Sequence, residues 1–64
     1  MSRGELERHL RSHGCAAMRE GSRHTIWSNP ALGRTAAVPR HQEIKRNTAR
    51  RICDDLGIPR HPSL

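Results

Sequence analysis

The sequence predicts an α+β domain of order α-β-β-β-α, a three-stranded antiparallel sheet with two helices on one face. Three observations carry that expectation. A capped run with leucines four apart opens the chain, and three short β-rich stretches joined by turn residues follow. A strongly periodic helical run then ends at Gly57-Ile58-Pro59. With 64 residues the chain makes at most one domain, residues 1–64, of which 60–64 are expected to fray.

The opening helix is read from "SRGELERHLRSHG". Ser2 and Glu5 have capping-box spacing, so hydroxyl and carboxylate satisfy orphan amides. Leu6 and Leu10 share a face, and Gly14 is a plausible C′ stop. "CAAMRE" suits a strand, and Gly21-Ser22 makes a turn. "RHTIWSN" is β-rich through Thr25, Ile26 and Trp27. Asn29-Pro30 opens a second hairpin turn, and Gly33 supplies freedom at positive φ. "TAAVPR" is the third strand, ended by Pro39, which cannot donate to a ladder. In "NTARRICDDLGIP", Asn47 or Thr48 is the expected cap. Ala49, Ile52, Cys53 and Leu56 repeat at helical spacing, and Ile58 folds back on Cys53 as in a Schellman motif.

The apolar supply is thin. The expected core is Leu6, Leu10, Met18, Ile26, Trp27, Val38, Ile44, Ile52, Leu56 and Ile58, with two cysteines and some alanines. Such a core leaves a stability of only about 3–5 kcal/mol, which favours a stabilising partner. Cys15 and Cys53 have no metal-type spacing, no apolar leader precedes the first helix, and no run approaches a membrane span. These features fit a cytoplasmic protein with reduced thiols.

Charge gives the first functional signal. Eleven arginines and one lysine against six acids leave a net charge of +6. Guanidinium forks match phosphate geometry, so nucleic acid is the natural polyanion partner; the plainer alternative is solubility charge. Between Arg40 and Arg51 the cations are Arg40, Lys45, Arg46, Arg50 and Arg51, against Glu43 alone. Lys45 and Arg46 precede the second helix, whose free amides and dipole also attract anions.

Other chemistry is weakly signalled. His9 and His13 stand at i, i+4 with Cys15 nearby, but a closed zinc site needs four ligands and no second cluster supplies them. No metal and no cofactor are expected. Ser22 stands two residues before His24, which on a strand would put both on one face. No motif supplies the carboxylate that a triad requires. On local chemistry alone, His24 reads as an imidazole decorating the sheet.

The motifs together change that reading. "LERHLRSHG", "GSRHTIW" with its Gly-Ser-x-His core, "VPRHQEIK" and "TARRICDDLGIP" occur in an order and spacing that closely resembles HicA-type toxins. The resemblance runs from Glu5 to Pro59. It implies a fold similar to a double-stranded RNA-binding domain and an mRNA-cleaving endoribonuclease of a toxin–antitoxin system. It also implies that His24 is catalytic and that a HicB-type antitoxin covers the site in a hetero-oligomer. Arg23, Arg40, Lys45, Arg46, Arg50 and Arg51 are then the expected RNA phosphate ligands, with Ser22 in possible support. The chain departs from the pattern in having no Tyr or Phe on its strands.

RNA carries its own nucleophile, the 2′-hydroxyl, so the protein need only move protons and hold the phosphate. An imidazole suits the first task as general base or general acid. One of the two proton roles stays unassigned by the motifs. Two further readings remain open: a non-catalytic RNA-binding module with His24 as a contact, and an interaction subunit whose basic face meets only an acidic protein. If a complex with a protein partner persists in high salt, Ile26 or Trp27 is the expected apolar contact.

Overall fold

Ser2 starts the first helix as its spacing predicts. Its hydroxyl accepts the Glu5 N–H at 3.1 Å in a computed structural model that describes all 64 residues. The elements are α1 (Arg3–Ser12), β1 (Ala16–Glu20), β2 (His24–Asn29), β3 (Arg34–Pro39) and α2 (Arg46–Leu56). The sheet runs in the order β1-β2-β3, with both pairings antiparallel. The α-β-β-β-α expectation therefore holds.

Both helices stop by the same device. Gly14 (φ 82°) and Gly57 (φ 71°) adopt the left-handed conformation that a side chain disfavours. The N–H groups of Gly14 and Cys15 reach back to Arg11 and Leu10 carbonyls at 3.1 and 3.0 Å. Those of Gly57 and Ile58 reach Asp54 and Cys53 at 3.1 and 3.0 Å. These are the paired bonds of a Schellman motif.

The start of α2 differs from expectation. Its N-cap is Lys45, with no side-chain cap, and Asn47 and Thr48 lie inside the helix. The reason is apolar. Ile44 and Ala49, five residues apart and both buried in the core, stand at the positions of a hydrophobic staple. Ile44 is fixed from the other side by the N-terminus: its N–H donates to the Met1 carbonyl at 2.8 Å, and the Met1 ammonium donates to the Ile44 carbonyl at 3.0 Å. The Arg3 N–H donates to the Gln42 carbonyl at 2.8 Å. This pairing of residues 1–3 with 42–44 left no sequence signal, and it anchors the segment between β3 and α2.

The register sorts the strands into two faces. Trp27 pairs with Ala36 and Thr25 with Val38, so these residues share the face that receives the helices. Leu6 and Leu10 from α1 and Ala49, Ile52, Cys53 and Leu56 from α2 join Trp27, Ala36 and Val38 there in one buried cluster. His24, Ile26 and Ser28, paired with Pro39, Ala37 and Thr35, occupy the open face.

Two expected core residues lie elsewhere. Met18 is 58% exposed, because β1 carries a bulge between Ala17 and Arg19 and every residue of that edge strand is exposed. Ile26 is half-buried on the open face, one residue out of phase with the core. Trp27, in contrast, is only 1% exposed, with the Arg11 guanidinium 5.0 Å from its ring centroid. It is therefore not available as an apolar contact for a partner.

Asn29 is the one buried polar residue, and its Nδ2 donates to the Leu56 carbonyl at 2.7 Å. That bond satisfies a carbonyl that the end of α2 leaves open. Residues 60–64, expected to fray, make several contacts. Arg60 pairs with Asp54 at 2.7 Å, Leu64 packs on the core, and Arg50 donates to the Leu64 carbonyl at 3.1 Å. No helix is long and apolar enough to cross a membrane.

Candidate active site at the open end of the sheet

The Gly-Ser-x-His stretch forms the turn between β1 and β2 and the first residue of β2. The Gly21 N–H donates to the His24 carbonyl at 2.8 Å and closes the turn. A Cβ on Gly21 would lie 3.0 Å from that same carbonyl oxygen. The position thus calls for glycine because of close approach rather than backbone angle.

Arg40, just past β3, braces the turn. Its guanidinium donates to the Gly21 carbonyl at 2.8 Å and pairs with Glu20 at 3.4 Å. Its own N–H donates to the Arg23 carbonyl at 3.3 Å, and Arg3 donates to the Arg40 carbonyl. The loop that presents His24 is consequently held from both neighbouring strands and from α1.

These bonds frame a cleft of about 590 Å³ lined by Ser22, Arg23, His24, Arg40 and His41. None of the five is apolar, and none is acidic. Ser22 lies in the turn and not on the strand, so the same-face argument fails, yet it reaches the same cleft. With no carboxylate in the lining, no Ser-His-acid triad is assembled here. The imidazoles of His24 and His41 are exposed, and neither takes part in a hydrogen bond or ion pair within the chain.

A second cleft of about 510 Å³ adjoins the N-terminus of α2, lined by Pro39, His41, Glu43, Ile44, Lys45 and Thr48. His41 borders both clefts. The first turn of α2 has neither a side-chain cap nor an acidic residue, so its amides and positive dipole end remain open to an anion.

The six expected phosphate ligands divide unequally. Arg23 and Arg40 line the His24 cleft, and Lys45 lines the second. Arg46 and Arg51 are exposed but border neither. Arg50 is half-buried, with its Nε unpartnered and enclosed and its Nη2 on the Leu64 carbonyl.

His41 is the residue that motif reading passed over. The hairpin register would have found it, because Pro39 pairs with His24 and His41 follows two residues later. The thiols of Cys15 and Cys53 offer no competing nucleophile. Burial pushes both up from the ordinary thiol range and keeps them protonated.

No match emerges among curated proteins or among solved structures. A family model does match, described as the HicA toxin of bacterial toxin–antitoxin systems, and it spans residues 3–58, from the start of α1 to the residue after the Gly57 stop. The match covers every element that builds the cleft, and the chain belongs to the HicA toxin family, the toxin of a toxin–antitoxin system.

Proposed function

We propose that this toxin is an endoribonuclease that cleaves cytoplasmic mRNA through His24, without metal or cofactor, and that a HicB-type antitoxin inhibits it by covering the cleft. The observation that carries the reading is the cleft, lined only by polar and charged residues, in which the unbonded imidazole of His24 lies with Arg23 and Arg40. The α-β-β-β-α order is compatible with a double-stranded RNA-binding-domain-like fold, and the net charge of +6 suits a polyanion.

In this mechanism the arginines hold the phosphodiester and stabilise charge that develops on its oxygens. The ribose 2′-hydroxyl attacks phosphorus and the bond to the 5′-oxygen breaks. His24 accepts the 2′-proton or donates one to the departing 5′-oxygen. The products are a 2′,3′-cyclic phosphate and a 5′-hydroxyl. A positioned acid–base of this kind supplies about 10²–10⁴-fold in rate.

The antitoxin reading rests on the same surface. An acidic partner over the cleft would meet Arg23 and His24, while half-buried Ile26 and exposed Met18 offer apolar contact. Any partner that binds only the folded toxin also stabilises it by mass action.

One observation favours a second reading, a non-catalytic RNA-binding module: the uncapped start of α2 beside Lys45 would suit a phosphate without any chemistry, although Glu43 lines the same cleft. Incubating wild type and His24→Ala with RNA and mapping the ends separates the two. Cyclic-phosphate ends with wild type alone, at equal RNA affinity, support the enzyme. Affinity without cleavage by wild type supports the binding module.

A further inference from the structure

The chain has five histidines, and the fold sorts them into two groups. His9, His13 and His61 cluster where α1 meets the tail. The His9 ring centroid lies 4.7 Å from that of His13 and 5.2 Å from that of His61. His9 Nε2 bonds to the Pro59 carbonyl at 2.7 Å, and His61 Nδ1 accepts the Ser63 N–H at 3.0 Å. His9 and His61 are thus bonded to residues of the C-terminal segment, while His13, away from the cleft, has only its edge contact with His9. The remaining two, His24 and His41, are exposed, make no hydrogen bond, and line one cleft together with Arg23 and Arg40.

We propose that His41 supplies the second proton-transfer group of this cleft, so that cleavage is shared between two imidazoles. The inference rests on the endoribonuclease reading above and fills the role which that reading leaves open. Transesterification of RNA moves two protons at two oxygens, one leaving the attacking 2′-hydroxyl and one arriving on the departing 5′-oxygen. A single imidazole cannot serve both oxygens at once, since attack and departure lie on opposite sides of phosphorus.

With two imidazoles the step balances. The neutral ring takes the 2′-proton as the new O2′–P bond forms. The imidazolium gives its proton to O5′ as the P–O5′ bond breaks. One ring ends charged and the other neutral, and nothing is oxidised or reduced. Imidazole is the side chain whose two forms coexist near neutrality, which is the condition this exchange requires.

The position of His41 is built, not incidental. It follows Arg40, which is bonded to the Gly21 and Arg23 carbonyls, and it precedes Gln42–Ile44, which are paired with the N-terminus. His41 also borders the cleft at the α2 N-terminus. An RNA strand crossing between the clefts therefore passes His41, with a neighbouring phosphate directed toward Lys45.

The test uses two oligoribonucleotides, one with ordinary linkages and one with sulfur replacing a bridging 5′-oxygen. A thiolate leaves without a general acid. Wild type, His24→Ala and His41→Ala are compared on both, with RNA affinity and melting temperature measured alongside. Expected is a loss of about 10²–10⁴-fold for each variant on the ordinary linkage, at near-wild-type affinity and melting temperature. One of the two variants, the one lacking the acid, recovers on the sulfur linkage while the other does not. His41→Ala cleaving ordinary RNA within about tenfold of wild type, below the acid–base range, overturns the inference and leaves the His24 reading standing. So does a loss on His41→Ala that tracks lost affinity, or recovery of neither variant. Wild type that binds RNA but cleaves neither oligonucleotide removes the endoribonuclease reading itself, and this inference with it.

Discussion

The two ends of strand β2 face opposite demands. At its last residue, Asn29 is 4% exposed and bonded to the end of α2, beside the core residue Leu56. At its first, His24 is exposed among Ser22, Arg23, Arg40 and His41, with no apolar neighbour in the cleft. Six residues thus span from a sealed corner to a charged opening. The difference teaches that packing and exposed charge are separated along one strand. Packing is concentrated at one end, which leaves the other free to hold mutually repelling cations in water.

The sharpest way to break that comparison is to truncate one residue at each end. Leu56→Ala removes a fully buried side chain, a change that costs about 2–5 kcal/mol. The whole domain has about 3–5 kcal/mol to lose, so thermal denaturation should find the variant with most of its stability gone and a substantially lowered melting temperature. His24→Ala, on an exposed position, should stay within about 0.5 kcal/mol of wild type and lose RNA cleavage. A large loss of stability in His24→Ala would mean that the open end carries structural weight after all.

Asn29→Ala comes next. It deletes the 2.7 Å bond to Leu56 and strands a carbonyl at the end of α2. An unsatisfied buried partner costs about 1–3 kcal/mol, which in so small a domain lowers the melting temperature by roughly 4–8 °C per kcal/mol. RNA affinity should not change, because the substitution lies at the far end of the strand from the cleft.

Two glycines then sharpen the contrast. At the sealed end, Gly57 has φ 71°, and a Cβ there would lie 2.7 Å from Leu32 Cδ1. Gly57→Ala should therefore destabilise by about 1–2 kcal/mol from the left-handed backbone alone. At the open end, Gly21 has no positive φ, but its Cβ would press on the His24 carbonyl at 3.0 Å. Gly21→Ala should shift the His24 backbone by a few tenths of an ångström. Its expected signature is slower cleavage with a melting temperature close to wild type.

How much of this was legible in the sequence follows the same division. The helices, their glycine stops and the three strands were readable because each rests on local chemistry: Leu6 and Leu10 four apart, Gly14 and Gly57 just past the last turn, Pro39 at a strand end. His24 is singled out in the sequence only by the Gly-Ser-x-His pattern, and the fold shows its exposure and its cleft, not its role. What the sequence hid were long-range pairings. The contact of residues 1–3 with 42–44 anchors the segment before α2, whose start at Lys45 goes with the buried Ile44 and Ala49, and the bulge at Met18 turned an expected core residue outward. Arg50 looked like one more cation in a basic run until the tail folded back onto it. His41 was hidden for the opposite reason. Its place beside His24 depends on the β2–β3 register, which a pattern of single residues does not display.

The smallest effect tests whether the tail belongs to the sealed end. Arg60 donates twice to Asp54, at 3.1 and 2.7 Å, and those hydrogen bonds hold the Asp54 carboxyl below its usual range. Because the folded value is depressed, the contribution is present above the unfolded aspartate value of about 3.9 and disappears as pH falls through the folded value. Both side chains are half exposed, so the pair is screened and its worth is small. Asp54→Asn should therefore melt slightly below wild type at neutral pH and low salt. The gap should close on acidification below the carboxylate range, and also in high salt at neutral pH. A gap that persists in acid would assign the effect of Asp54→Asn to something other than its charge, and the tail would then be held by Leu64 and the His9 bond to Pro59 rather than by this ion pair.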